Sequence, residues 1–329
     1  PGGRMNSAKA SSDVSAPLLN EGASLLDQVV EQSKIAKSES EHLRARDLIA
    51  ELVAEVMQGT VVVSENLARS LDARIAELDR MLSEQLSLVM HAPAFQQLEA
   101  SWRGLHHLVT ESTTGTMIKI KVFNASKKEL MRDFKAALEF DQSSLFKKIY
   151  EEEFGTFGGA PFGALIGDYA ITRQPEDLYF LEQMSHVAAA AHAPFITAPA
   201  PELLGLESFA DLGRPRDMAK VFDTVEYAKW KSLRDSEDAR YVGLALPRFL
   251  GRLPYNPIDG ITIDSFPFVE DVDGRDHSRY LWCNAAYAHG VRLTQAFENF
   301  GWCAAIRGVE GGGLVEGLPT HTFNTDDGE

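Results

Sequence analysis

The chain has 329 residues, 44% of them apolar, more than one hydrophobic core ordinarily serves, which predicts two folded parts. Lys and Arg number 32 against 48 Asp and Glu, and the net charge of -16 repels nucleic-acid phosphates and anionic lipid, so neither is an expected partner. The two cysteines, Cys283 and Cys303, flank an apolar helical pattern outside any metal-ligand spacing, which predicts buried, reduced thiols and a cytoplasmic chain.

Pro1–Arg4 precede Met5 and read as upstream sequence; no basic-then-apolar leader follows, and no apolar run is long enough to span a bilayer. Residues 1–40 read as a flexible arm, rich in Ser, Ala, Gly and Asn. Within it Ser24–Ser33 forms one apolar island, where Leu25 with Val29 and Leu26 with Val30 pair at i,i+4, and Ser24 and Asp27 have capping-box spacing. The pattern fits a short core helix and a helix that folds only in a partner's groove equally well. From 41 to 115 the period is helical: Ala45, Leu48, Ile49, Leu52, Val53 and Val56, then Leu67, Leu71, Ile75, Leu78, Leu82 and Leu86, then a helix opened by Pro93 carrying Phe95, Leu98, Trp102 and Leu105.

At Thr116 the period changes to two, and Ile118, Ile120 and Val122 alternate with Lys119 and Lys121 as in a strand with one wet face. Ser126 and Glu129 cap a further helix. Beyond it come a strand over 164–171, a helix from Pro175, a strand at Phe195–Thr197, a helix over 215–234, a strand over 241–246 and a long helix over 278–302. Strands alternating with helices predict an α/β core over 116–329, a mostly parallel sheet covered by helices.

Motifs that carry chemistry are incomplete. Gly311-Gly312-Gly313 lacks the Lys-Ser/Thr of a phosphate loop and reads as a turn or a close backbone approach. Asp168 ends an apolar run and reads as a strand-end turn residue, since no phosphate loop exists to pair with it. In Asp271-Val-Asp273-Gly274-Arg-Asp276 the glycine comes too early for a calcium loop, which leaves a solvated acidic loop. His106, His107, His186 and His192 follow no ligand spacing, and Glu39–His42 has no second copy with which to build a di-metal site. No nucleophile elbow is present. No metal, cofactor or catalytic residue is expected.

Six segments in order do form a pattern: Ser24–Ala36, Trp102-Arg-Gly-Leu105, Pro161–Tyr169, Ala198-Pro-Ala-Pro201, Leu246–Tyr255 and Arg307–Pro319. Together they resemble the TssC (VipB) family, the large subunit of the type VI secretion contractile sheath. The resemblance implies a tail-sheath-like fold and a structural role with no enzymatic activity. It implies pairing with the small subunit TssB (VipA) and with further sheath subunits, and polymerisation around an Hcp tube. The sheath would lie in the cytoplasm, attached to a membrane-anchored baseplate without direct membrane insertion, and its contraction would drive a spike. It also implies that the arm is engaged by the ClpV AAA+ ATPase, with Leu25, Leu26, Val29 and Val30 filling the ATPase groove. Family chains continue past the position of Glu329, so the C-terminal part of the family chain is expected to be absent here. Two rivals remain: an α/β enzyme with an unrecognised site, and a non-polymerising adaptor that recruits an AAA+ ATPase.

Overall fold

The computed structural model describes residues 38–58, 67–213, 217–256, 258, 260–264, 266–274 and 276–320. The arm residues Leu25, Leu26, Val29 and Val30 lie outside them. The chain forms two compact units, residues 1–81 and 82–329.

In the first unit, helix α1 (Glu39–Met57) opens with a capping box in which Ser38 and Glu41 satisfy each other's backbone N–H groups. Helix α2 spans Leu67–Met90, so its residues from Leu82 onward belong to the second unit. The periodic apolar positions Leu48, Val53, Leu71, Ile75 and Leu78 lie on these helices as predicted, and all five are exposed.

In the second unit, α3 (Pro93–Thr110) begins at its proline, where the missing N–H would have no helical partner anyway. Ser126 and Glu129 cap α4 (Lys127–Ala136) as expected. The alternation at 116–123 does not become a strand. Ile120 turns into a core while Val122 and Phe123 stay exposed, and without a partner ladder an extended segment is not a sheet. A one-turn helix, Ser144–Phe146, has its first N–H groups held at 3.0 Å by Asp133 and continues into a π-helical stretch, Lys147–Phe154.

The fold is α/β. Strands β1 (Leu165–Ile171), β2 (Phe195–Pro199) and β3 (Val242–Leu244) make a parallel sheet in the order β1-β2-β3. Parallel neighbours need crossovers, supplied by α5 (Pro175–Ala191) and by the segment holding α6 (Ala228–Asp235). The helix expected over 215–234 is broken into Met218–Val221, Val225–Tyr227 and α6, because Thr224 is extended. A two-stranded antiparallel ribbon pairs β4 (Phe249–Leu250) with β5 (Trp282–Cys283), and α7 (Ala285–Phe300) follows. This last helix starts later than its apolar period suggested, because Asn284 turns the chain and caps it, its Oδ1 accepting from Ala286 N–H at 2.8 Å.

Two cores flank the sheet. One packs Ile171 and Phe195 against α5 through Phe180, Leu181, Met184 and Val187. The other packs Leu108, Phe249, Cys283, Tyr287 and Val291 together, with Ile166 reaching it from β1. β1 carries a bulge: its register with β2 passes from Ile166↔Ile196 to Ala170↔Ala198, so Gly167–Tyr169 face the single Thr197. Asp168 is therefore mid-strand and not the strand-end residue expected. The displaced carbonyls of Gly167 and Tyr169 each accept from Thr197 Oγ1 at 2.9 Å, and both also accept from Asn284 Nδ2. One asparagine thus caps α7 and satisfies the bulge.

Candidate assembly site

Helix α3 has two faces of different chemistry. Its inner face is built for close approach: Gly104 is buried, and a Cβ there would lie 2.3 Å from the Tyr287 ring of α7. Ser101 Oγ donates to Asp168 at 2.5 Å, tying α3 to the β1 bulge.

Beside these contacts lies a buried ionic cluster. The Arg252 side chain is 5% exposed and grips Glu270, itself 1% exposed, through both Nη atoms at 2.6 and 3.0 Å. Its Nε donates to Glu99 of α3 at 2.8 Å, and Arg103 reaches the same Glu99 oxygen at 2.7 Å. Glu270 also accepts from Tyr255 N–H at 2.9 Å and lies 3.1 Å from His91 Nε2, while the Arg252 guanidinium sits over the Tyr255 ring. Burial works against the charge on Arg252, but hydrogen bonds from Glu270 and Glu99 outweigh it and raise the pKa above the usual arginine value. Burial likewise pushes the Glu99 carboxyl up, and the bonds from Arg252 and Arg103 more than reverse it, leaving Glu99 below the usual glutamate range.

The outer face of α3 is apolar and uncovered. Phe95, Leu98, Trp102 and Val109 are all exposed, Trp102 to 65%, and their spacing puts them on one stripe. Leu88 and Val89, near the end of α2, are exposed as well. An apolar stripe on a helix fixed from behind can bind a partner; it carries no group that could make or break a bond.

Four of the six segments quoted from the sequence come together at this helix and the core beside it, while Ser24–Ala36 lies outside the described residues. Arg103 and Gly104 belong to one, Arg252 and Tyr255 to another, and Asp168 to a third, while Leu318 of the last packs against the second core. The glycine cluster is a tight turn in which a Cβ at Gly312 would lie 2.5 Å from Ala305 O, in keeping with the expected close backbone approach. The acidic loop is tied together locally: Asp271 pairs with Arg279, and Asp276 accepts from Ser278 N–H. Among the described residues no group of His, Cys, Asp and Glu could hold a metal. His186 pairs with Asp238, His192 ends α5 against Tyr241, and His107 lies against Phe249. Glu99 and Glu270 were not singled out from the sequence. Their partner Arg252 lies 153 and 18 residues away, and no local spacing encodes such a pairing.

Around Asp168 burial keeps the reactive types neutral. Burial, then the Asp168 charge, pushes the Cys283 thiol and the Tyr169 phenol each up to about 12, and Tyr287 is raised by the same causes. These groups are absent from the crevice past the carboxyl ends of β1 and β2, which Thr172, Arg173, Gln174, Glu202 and Glu207 help to line. Cys303 is exposed, which corrects the expectation that both thiols would be buried. No helix among the described residues is long and apolar enough to cross a membrane.

The family model described as VipB, the EvpB/VC_A0108 tail sheath N-terminal domain, matches residues 72–329. A curated relative, the type VI secretion system sheath protein TssC1 of Pseudomonas aeruginosa strain PAO1, is 47% identical over 294 residues. That alignment takes in 89% of this chain and 59% of the relative, so the chain spans well under two thirds of the relative's length. With the α/β scaffold, the placed segments and a match over most of its residues, the chain belongs to the VipB tail sheath family.

Proposed function

We propose that this chain is the N-terminal part of a large sheath subunit of a type VI secretion system, which pairs with a TssB-type small subunit and polymerises around an Hcp tube. Contraction of that polymer propels the spike, and a ClpV-type ATPase recycles spent sheath through the arm at Leu25, Leu26, Val29 and Val30. No bond chemistry is asked of the subunit, since the energy comes from interfaces that repack between discrete arrangements. The observation that carries this is the uncovered stripe of α3 in a member of a tail sheath family. Covering Trp102 alone removes on the order of 150 Å² of apolar surface from water, roughly 4 kcal/mol in favour of association.

The test is electron microscopy of the full-length subunit co-expressed with its small partner. Tubules are expected from the wild type. Trp102→Asp and Leu98→Asp should abolish them while leaving thermal stability unchanged, because both side chains face solvent. Discrete complexes and no tubules from the wild type would overturn the proposal.

A further inference from the structure

Residues 119–124 have the making of a strand and no strand beside them. Ile118 and Ile120 are half-buried while Lys119 and Lys121 are exposed, so the period of two read in the sequence survives in the folded chain. Both ends of the segment are fixed. Before it, Gly115 N–H donates to Ile118 O at 2.9 Å; after it, the Tyr169 hydroxyl donates to Ala125 O at 2.7 Å, just ahead of the Ser126 cap of α4. In between, Ile120 packs against the second core, and Lys121 pairs with Glu153 and lies 5.2 Å from the centre of the Phe162 ring. Yet among the described residues no hydrogen bond reaches a main-chain N–H or C=O of residues 119–124. Val122 continues the face of Ile118 and Ile120 and is 67% exposed, so the cover over that face stops short of it.

An anchored, extended backbone with an empty ladder is complementary to another extended backbone, since a strand presents N–H and C=O groups at the matching spacing. Left open, it is a template for pairing with any chain, which soluble proteins avoid by covering their edges. The far end of the described chain lies at the same place. Val315 and Leu318 pack against the core that holds Ile120, and Arg292 Nη1 donates to Leu314 O at 2.5 Å, which ties that stretch to α7. Whatever follows Thr320 therefore sets out from the core on which the open segment rests. A strand on the same polypeptide is presented at high effective concentration and needs no second molecule. The alignment takes in only 59% of the curated relative, so a subunit of that size has ample further chain to supply one. We propose that residues 119–124 are an open strand closed by a β-strand from the part of the same polypeptide that follows Thr320. This rests on the reading of the chain as the N-terminal part of a large sheath subunit.

Site-specific photocrosslinking tests it, with p-benzoyl-phenylalanine replacing the exposed Val122 in the full-length chain in its own cells. Mass spectrometry should find a crosslink within one polypeptide, joining position 122 to a residue beyond 320. The same crosslink is expected in cells that lack the small subunit, because the pairing needs no second molecule. Hydrogen exchange of the full-length subunit should show every second amide of residues 119–124 slowed by about 100-fold or more relative to an unpaired chain, the alternation expected where one new strand is bonded. An adduct to a second copy, to another polypeptide or to a residue before 320, no adduct at all, or amides that exchange at the unpaired rate overturns the proposal. Tubules together with an adduct to another chain would refute this pairing alone. An internal adduct without tubules would refute the sheath proposal alone, so the two failures are distinguishable.

Discussion

Replacing Arg252 with Met keeps most of the side-chain volume but removes the charge together with the N–H donors that serve Glu99 and Glu270. What remains is Glu270, 1% exposed, with Tyr255 N–H and His91 as its remaining partners, and Glu99, left with Arg103 alone. Breaking a buried pair by deleting one partner costs about 3–5 kcal/mol, because the survivor is a desolvated charge. At roughly 2–4 °C per kcal/mol for a domain of this size, Arg252→Met should lower the melting temperature by about 6–20 °C. Urea unfolding followed by tryptophan fluorescence measures the same deficit as a shift in midpoint at constant slope. The deficit should shrink as pH falls from 7 towards 4, since a proton on a carboxyl removes the unpaired charge. The double variant Arg252→Met with Glu270→Leu should recover most of the loss, since apolar replacement of a whole buried pair is often neutral. A deficit under about 1 kcal/mol, or a double variant no better than the single, would refute the idea that this cluster holds α3 to the β-ribbon.

Further outcomes follow from the same structure. Maleimide at pH 7.5 should label Cys303 quickly and leave Cys283 unmodified until the chain unfolds, because burial holds the Cys283 thiol neutral; intact-mass analysis should show a single adduct. Gly104→Ala should destabilise by about 1–3 kcal/mol, since the added methyl meets the Tyr287 ring, and calorimetry should register the drop. Glu99, Asp133 and Asp177 all have lowered pKa values, because hydrogen bonds from Arg252, from the Ser144 and Leu145 N–H groups, and from Lys127 and Thr172 outweigh burial. Their stabilisation is complete above the unfolded carboxyl values and is lost as pH falls through the lower folded ones, so the urea midpoint should stay level from pH 7 to 5 and drop below about pH 4. If the arm is engaged as proposed, Leu26→Asp or Val30→Asp should weaken binding of the ClpV-type ATPase, as read by calorimetric titration, and leave the folded body intact, as read by its melting temperature.

Much of the fold was legible because its signals are local. The capping box at Ser126, the prolines opening α3 and α5, and the apolar runs of β1 and β2 depend only on near neighbours, and each appears where its residues predict. What failed depended on distant partners. The alternation at Ile118–Val122 meets the local requirement for a strand, but a strand exists only if another lies beside it. The bulge at Gly167–Tyr169 is accommodated by Thr197 and Asn284, residues that no window around Asp168 contains. The same holds for the assembly site. The period of α3 showed that Phe95, Leu98 and Trp102 recur at helical spacing, but periodicity alone does not say which face a neighbour covers. Burial of the opposite face, through Gly104 and Leu108, leaves the stripe facing solvent.

The ionic cluster behind α3 also has a mechanical meaning. A neighbour that tugs on Trp102 pulls on a helix pinned about one turn before it, at Glu99, and at the next residue, Arg103, by charges that cannot slide as hydrocarbon does. Force entering at that indole passes into Arg252 and Glu270, then through the adjoining ribbon towards the start of α7. A strut with such stiff fastenings moves as one piece, so displacement at the stripe would carry the scaffold with it before the stripe itself deformed.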